Sequence, residues 1–534
     1  MKINIMFAFF IIFYLSYADG VLEIEKRREE QKKFEEKVEN FENKTLGDEK
    51  ANSSSLNLDI NNIFLVGNTV FEEFQINSIL KKYIGKDKDI YSLINEIENK
   101  YIAKGYVTTR VNLDLEKSDL ASGNISLFIL EGKIDKYIFD GEEKIIKEFI
   151  TFPQQENKLL NMYDLDQGID NLGDNSTLEI KSSNKENYSD IHIRRGDKKI
   201  LDVSIGYNDL GQKGTGRHRY RINLNSHDLF GLNENINYTF QDKLQRQKKD
   251  RDSGNYSFSI NIPFKKYSFS YSFAKSDYLQ TIRALGKRHR ATGTTENQSF
   301  GVRKMMYRNG DSKVDFGGNI TLKDVKNYID DVRLITGSRK LSVLTLDSSY
   351  IGRVLGGLFY SDVSVSFGLK KFGANIDDNE WYRTDTSPKA QFRKYNLDLS
   401  WYKPINKFYY KLNIGAQYSK DILYSQEKLS LGDDTTVRGF KDESIQGDSG
   451  VYIRNEIGYR GMDILEPFIA YDFGRIKNNK IEEDRYESVQ GVSIGTKISL
   501  RALEGSVALA KPIDKPGYFE EDKVVVYTSL TYRF

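Results

Sequence analysis

From about Lys198 to the C-terminus the chain alternates polar and apolar residues with a period of two. In "VYIRNEIGY", Val451, Ile453, Ile457 and Tyr459 share one side while Tyr452, Arg454 and Glu456 share the other. "YNLDLSW" sets Tyr395, Leu397, Leu399 and Trp401 against Asn396, Asp398 and Ser400, and "VSVSFGLK" sets Val363, Val365, Phe367 and Leu369 against Ser364, Ser366, Gly368 and Lys370. Sixteen such segments fit before Phe534. That leaves about 21 residues for each strand with its connection, ample for strands that cross a membrane in about 9 to 11 residues. Alternation alone also fits a soluble sandwich. Connection lengths separate the two. "QDKLQRQKKDRDSG", Asn327 to Arg339, Gly373 to Gln391 and Leu429 to Asp448 are long and polar; between them lie the short "PFKK", "RNGDSK", "KPINK", "RGMDILE" and "RALEG". Short turns at one end and long loops at the other predict a transmembrane barrel, closed because lipid offers no partner to a free sheet edge.

Upstream the periodicity is mixed. "IFLVGNTVF" predicts a strand and turn; Phe71, Phe74, Ile79, Leu80 and Tyr83, then Ile90, Leu93, Ile94, Ile97 and Tyr101, follow at helical spacing, and "KGYVTTRVNLDLEKSDLASGNISLFILEG" supplies two strands around a Ser-Gly turn. Residues 58–131 therefore predict a module in the order β-α-α-β-β. Residues 132–197 predict a second: strand "KIDKYIFDG", helices around Ile145 to Phe152 and Leu165 to Leu172, and strands "STLEIKSS" and "SDIHIRR".

At the N-terminus, Lys2, the apolar run Ile3 to Leu15 and Ser16-Tyr17-Ala18 predict an export signal over residues 1–18, cut before Asp19. Residues 19–46 hold "LEIEKRREEQKKFEEKVENFENK", a helix whose only apolar residues after its first turn's Ile24 are Phe34, Val38 and Phe41. A solvated spacer and a helix in a water-filled pore both fit that polarity. Residues 47–57, "GDEKANSSSLN", read as a flexible linker.

Composition agrees with strands: Tyr 34, Phe 31 and Gly 41 against Trp 2 and Pro 7. A net charge of +2 from 79 basic and 77 acidic residues gives no reason to expect nucleic acid. With no cysteine, disulfides, thiolate zinc sites and cysteine nucleophiles are excluded. His192, His218, His227 and His289 show no ligand spacing, so no metal and no cofactor are expected. "GDSG", Gly447 to Gly450, has the look of a protease nucleophile turn but runs into a predicted strand. "GQKGTGRH" lacks the P-loop Lys and Ser/Thr. The basic stretch Lys243 to Arg251 reads as a solvated loop face. No grouping suits an enzyme, and a barrel lipase or protease is disfavoured for that reason.

The two tandem modules resemble POTRA domains, the polypeptide-transport-associated modules of outer-membrane transporters, and "LNMYDLDQGIDNL" is similar to the second such module of two-partner secretion transporters. Signal peptide, polar helix, linker, two modules and barrel together resemble the haemolysin secretion/activation family of ShlB/FhaC/HecB type, within the wider outer-membrane assembly superfamily. Three local matches sharpen the resemblance. "GYNDLGQKGTGRHRY" is similar to the family's first hairpin, with Asn208, Gly211, Gln212, Lys213, Thr215 and Gly216 as its core. "TVRGF" resembles the tip of the sixth outer loop, and "YDFG" an element of the thirteenth strand. Alternation places Asp472 on the lumen side with Phe468 and Ala470, opposite Ile469, Tyr471 and Phe473. The resemblance implies that loop six folds into the pore and that Arg438, flanked by Val437, Gly439 and Phe440, pairs with Asp472 to lock loop to barrel. One departure is Asp433, where the family often has a second glycine beside Gly432.

The resulting expectation is an all-β transmembrane barrel of 16 antiparallel strands (198–534), preceded by two small α+β POTRA-like domains and an N-terminal plug-like helix. Its implied work is two-partner, type V secretion: a monomeric outer-membrane transporter whose periplasmic modules capture one large unfolded partner, of haemolysin, adhesin or contact-toxin type, and pass it through a porin-like channel without ATP. Outer-membrane lipids and, during biogenesis, the barrel assembly machinery are further implied partners. An assembly insertase of the same superfamily is the alternative.

Overall fold

The computed structural model describes residues 21–43, 56–173, 176–196, 200–213, 215–244, 251–284, 287–335, 337–377, 384, 386–479, 486–519 and 523–534. The export signal and nearly all of the linker lie outside them. The first described element is helix α1, Val21–Asn43.

Module 1 holds two packed helices, α2 (Glu73–Leu80) and α3 (Ile90–Ala103), against strand Asn124–Leu130, which runs parallel to Asn62–Val66 and antiparallel to Arg110–Leu113. Ile90, Leu93, Ile97 and Tyr101 bury one face of α3, and Asp89 caps it by accepting from the N–H groups of Tyr91 and Ser92. Two details differ from the sequence expectation. Phe74 is exposed while Ile76 takes the buried place on α2. An extra strand, Gly85–Asp89, intervenes between the helices and pairs with Asn57–Ile60, which begins at the last residue of the predicted linker. "GKDKD" carries no apolar residue, and only backbone pairing makes it a strand.

In module 2, strand Lys133–Phe139 lies between Glu142–Glu143 and Tyr188–Arg195, with Ser176–Ser182 on the outer edge. Helices α4 (Ile145–Thr151) and α5 (Met162–Leu172) cover it, and Phe152 stacks on Tyr137 at 4.5 Å.

The remaining chain closes into a barrel of sixteen wall strands. They are β1 (Leu201–Asn208), β2 (Arg219–His227), β3 (Asn235–Lys243), β4 (Arg251–Phe264), β5 (Tyr267–Ala284), β6 (Lys287–Arg308), β7 (Ser312–Ile329) and β8 (Arg339–Val354), then β9 (Gly357–Gly368), β10 (Arg393–Ile405), β11 (Phe408–Ser419), β12 (Ser449–Tyr459), β13 (Leu465–Lys477), β14 (Tyr486–Leu500), β15 (Leu503–Asp514) and β16 (Val525–Arg533). All pair antiparallel, and β1 closes on β16 through Ser204 to Asn208 facing Arg533 to Ser529. A two-residue ladder, Val332–Arg333, sits in the connection from β7 to β8. Large apolar side chains on the outer face stay open, among them Ile205, Phe269, Phe300, Val363, Tyr395, Ile457, Ile469, Ile494 and Leu509. Side chains one residue away point inward and are mostly polar, as with Ser204, Ser364, Glu456 and Ser493, while Phe468, Ala470, Ala508 and Ala510 form an apolar patch; this alternation is the pattern of a wall between lipid and water.

The ladders run further than the sequence reading allowed. The predicted loop "QDKLQRQKKDRDSG" is taken up by β3 and β4 at both ends, and Lys243 is buried rather than part of a solvated loop face. The 327–339 connection is shortened in the same way. β5, β6 and β7, of 18, 22 and 18 residues, exceed what a membrane crossing requires and pair across their length.

Helix α1 lies inside this cylinder. Phe34 and Val38 pack on Leu358, Tyr402 and Tyr409 of the wall. Its charged residues pair with the polar interior: Glu25 accepts from Arg221 of β2, and Glu35 accepts from Lys411 of β11 at 2.7 Å. Among the described residues no helix is long and apolar enough to cross a membrane, a test that leaves crossing by strands untouched.

Candidate functional site

The connection from β11 to β12, residues 420–448, is loop six. Far from standing in solvent, its tip is fully enclosed: Thr435, Thr436, Val437 and Phe440 are each 0% exposed. A small ladder, Leu429–Leu431 with Ile445–Gly447, brings the chain in and out. Gly432 turns it at φ +114°, where an added Cβ would meet the Glu443 carbonyl at 2.9 Å. Asp433, the departure noted in the sequence, organises the bend: one carboxylate oxygen accepts from the N–H groups of Thr435 (2.7 Å) and Thr436 (2.8 Å) and from the Thr435 hydroxyl. A second glycine could not supply those acceptors.

Arg438 leads from this turn to the wall. Its backbone N–H donates to Asp472 Oδ2 (3.1 Å), Nε to the same oxygen (2.7 Å) and Nη2 to Oδ1 (2.8 Å). Its remaining terminal nitrogen donates to Glu456 Oε2 at 2.9 Å, and the guanidinium stands 5.7 Å from the Phe468 ring centre. One cation thus meets two carboxylates, on β13 and β12, with the planar fork used bidentately on the first. Asp472 is 1% exposed, so each charge relies on the others.

The wall is shaped to receive the loop's backbone. At Gly491 on β14 an added Cβ would lie 1.8 Å from the Arg438 carbonyl oxygen, and at Gly474 on β13 it would lie 2.9 Å from Val437 Cγ2. Gly439, at φ +114°, approaches Pro512 so closely that a Cβ would sit 2.9 Å from its nitrogen. Phe440 packs edge-on to Phe519 at 5.8 Å, and its carbonyl accepts from the Tyr527 hydroxyl at 2.5 Å.

Beyond the tip, loop six meets the first hairpin. Asp442 accepts from the Lys213 N–H at 2.6 Å and from the Arg217 guanidinium. Lys441 stands 2.8 Å from Asp209 and donates to the Val526 carbonyl at 2.7 Å, so it touches the strands on both sides of the β1–β16 closure. The hairpin motif is mainly a folding device. Asn208 Oδ1 accepts from the Leu210 N–H, Gly211 N–H donates to the Arg217 carbonyl, and Gly216 N–H donates to the Gln212 carbonyl. An added Cβ at Gly211 would lie 2.0 Å from the Gly216 oxygen, while Thr215 is buried with its carbonyl accepting from Ser253. Of these motif residues, Lys213 touches loop six through its backbone.

Helix α1 reaches the same loop from the lumen. Arg28 Nε donates to Asp434 at 3.0 Å, Gln31 Nε2 to the Thr435 carbonyl at 3.0 Å, and Arg27 to the Ser430 carbonyl at 3.2 Å. A second route runs through the wall: Glu35 lies 3.6 Å from Lys497, and Lys497 lies 3.4 Å from Glu456, which holds Arg438. Glu456, Lys497, Asp434, Asp442 and Arg28 were not singled out from sequence. Alternation does put Glu456 on the lumen face with Arg454, which was a usable signal; the helix-to-loop contacts span some 400 positions and left none.

The look-alike motifs are structural. Gly447 belongs to the loop-six ladder and Asp448 accepts from the Leu423 and Asn479 N–H groups. His218, His227 and His289 bond to Tyr207, the Leu172 carbonyl and Asp330 respectively. Among the described residues no group of three His, Cys, Asp or Glu is arranged to hold a metal ion.

Comparison with known proteins agrees with this architecture. Residues 187–498 match the model of the family described as haemolysin secretion/activation protein ShlB/FhaC/HecB, and residues 58–132 match the ShlB-type POTRA domain. The chain is 28% identical over 498 residues to the hemolysin transporter protein ShlB of Serratia marcescens, covering 89% of this chain and 86% of that one. It is 27% identical to an outer membrane transporter CdiB of Escherichia coli, covering 89% and 82%. The solved structure of CdiB from Escherichia coli superposes with a TM-score of 0.88 at 24% identity, over 97% of this chain and 98% of that one, a likeness of fold.

Proposed function

This chain belongs to the haemolysin secretion/activation protein ShlB/FhaC/HecB family, outer-membrane transporters of two-partner secretion with periplasmic POTRA modules, and from that membership we propose how its parts divide the work. Membership in the transporter family sets the insertase alternative aside. The cargo is one large partner polypeptide, captured unfolded on the outer strand edges Ser176–Ser182 and Arg110–Leu113, the second with its Val111 N–H already held by Glu98; such edges accept another strand without demanding a particular side-chain sequence. No nucleotide motif is present in the sequence, so export is driven by folding of the emerging partner outside, where burial of apolar surface makes return unfavourable.

At rest, α1 and loop six fill the lumen and the Arg438 to Asp472 contact holds the loop to the wall. The observation that supports this reading is that α1 and loop six are joined to each other as well as to the wall, through Arg28 with Asp434 and Gln31 with Thr435. Displacing the helix therefore removes contacts that position the loop. The protein works as a monomer, and its cargo is of the haemolysin, adhesin or contact-toxin type. Deletion of this protein in its host, followed by a census of the culture medium and of the outer membrane, tests the cargo assignment: loss of one large exported protein supports it, and general loss of outer-membrane proteins contradicts it.

A further inference from the structure

Around the junction of module 2 with the barrel, apolar side chains gather at the outer rim. On α4, Ile145 and Ile146 are each 78% exposed and Phe149 is 48% exposed. In the turn from β2 to β3, Leu229, Phe230 and Leu232 are open as well, Phe230 at 68%. Lys147 ties the two groups together by donating to Asp228 at 2.5 Å and to the Gly231 carbonyl at 3.2 Å. Neither group is part of a module core, and neither touches the lumen site.

Two observations identify what covers them. First, the patch continues the lipid-facing wall. Phe149 packs edge-on against Phe264 at 5.8 Å; Phe264 pairs with Tyr267, and Ile262 on the same face pairs with the outward Phe269. Lys265 lies 4.1 Å above the Phe149 ring, a cation at the height where the apolar belt ends. Second, the turn satisfies part of its own backbone. Glu234, 1% exposed, accepts from the N–H groups of Phe230 (2.7 Å) and Leu232 (3.1 Å), and its carbonyl accepts from Asp228 N–H. An irregular loop entering a bilayer normally pays for unpaired donors; here two of them are occupied internally, so the apolar tips are free to leave water.

We propose that Ile145, Ile146 and Phe149 of α4 and Leu229, Phe230 and Leu232 of the first periplasmic turn insert into the periplasmic leaflet of the outer membrane, seating module 2 on phospholipid. Module 2 is then held by three kinds of contact: hydrogen bonds to periplasmic turns, as between Asn233 and Thr151 or Asn171 and the Lys265 carbonyl; ion pairs, as between Arg308 and Asp170; and lipid. Fixing this module holds its edge strand Ser176–Ser182 in a set position relative to the barrel.

The cysteine-free sequence makes a direct test available. Phe230→Cys and Ile146→Cys are labelled with an environment-sensitive NBD dye in the full-length protein, in vesicles of phosphatidylethanolamine and phosphatidylglycerol carrying doxyl-labelled phospholipid. Phe269→Cys supplies a wall-facing reference and Leu115→Cys, exposed on module 1, a water reference. Quenching at positions 230 and 146 at least half that at 269, and several times that at 115, is expected. Quenching no greater than at 115 overturns the proposal, as does a label shielded only when an unfolded partner polypeptide is added, which would mark a protein-binding face. Heat-modifiable migration confirms assembly of each variant, and the two positions report independently if one fails to fold.

Discussion

Lys497 on β14 stands 3.4 Å from Glu456 on β12, reaching past β13, the strand that carries Asp472. Glu456 also takes a hydrogen bond from Arg438, and Lys497 also faces Glu35 of α1. One ion pair in the wall therefore contacts both bodies that occupy the lumen.

Arg438→Ala leaves the Asp472 and Glu456 carboxylates enclosed without their shared cation, a one-sided loss of about 3 to 5 kcal/mol where the site is dry. Because the sixteen wall strands close without this residue, secretion should fall while heat-modifiable, membrane-inserted barrel persists. Equal loss of both would assign the residue to folding. Arg438→Lys should recover part of the secretion, since an ammonium cannot serve both carboxylates with a planar fork.

Gly491→Ala changes no charge, yet its Cβ would fall 1.8 Å from the Arg438 carbonyl oxygen. The loop must lift off the wall. Its secretion defect should match that of Arg438→Ala, and crosslinking or protease access at loop six should rise with it. A Gly491→Ala protein that secretes normally would mean the loop seat is not required.

Glu456→Gln weakens its pairing with both Lys497 and Arg438. If the pair couples helix to loop, with a coupling of about 1 to 3 kcal/mol, channel opening should become about 5- to 150-fold more frequent in planar bilayers. Wild-type gating in this variant would show that the direct contacts of Arg28 and Gln31 suffice.

Much of this was legible in the chain. Lipid outside and water inside impose a period of two, so the strands, their number and the inward aspect of Asp472 could be read directly. What escaped was long-range or backbone-borne. Arg28 and Asp434 meet across 406 positions, a pairing no local pattern encodes. Gly491 and Gly474 look like ordinary strand glycines until the loop is seen lying on them. The Gly85–Asp89 strand has no apolar side chain to announce it, and Lys243 is buried because β3 reaches the first residue of a run of charges that reads as loop.

The most direct test of the resting state is single-channel conductance of the purified barrel with and without residues 21–43, the span of α1. With the helix present a small, flickering current is expected; without it, a larger and steadier one, because removal clears α1 from the lumen and withdraws the contacts of Arg28, Gln31 and Glu35 from loop six and the wall. Identical conductance in the two proteins would contradict it.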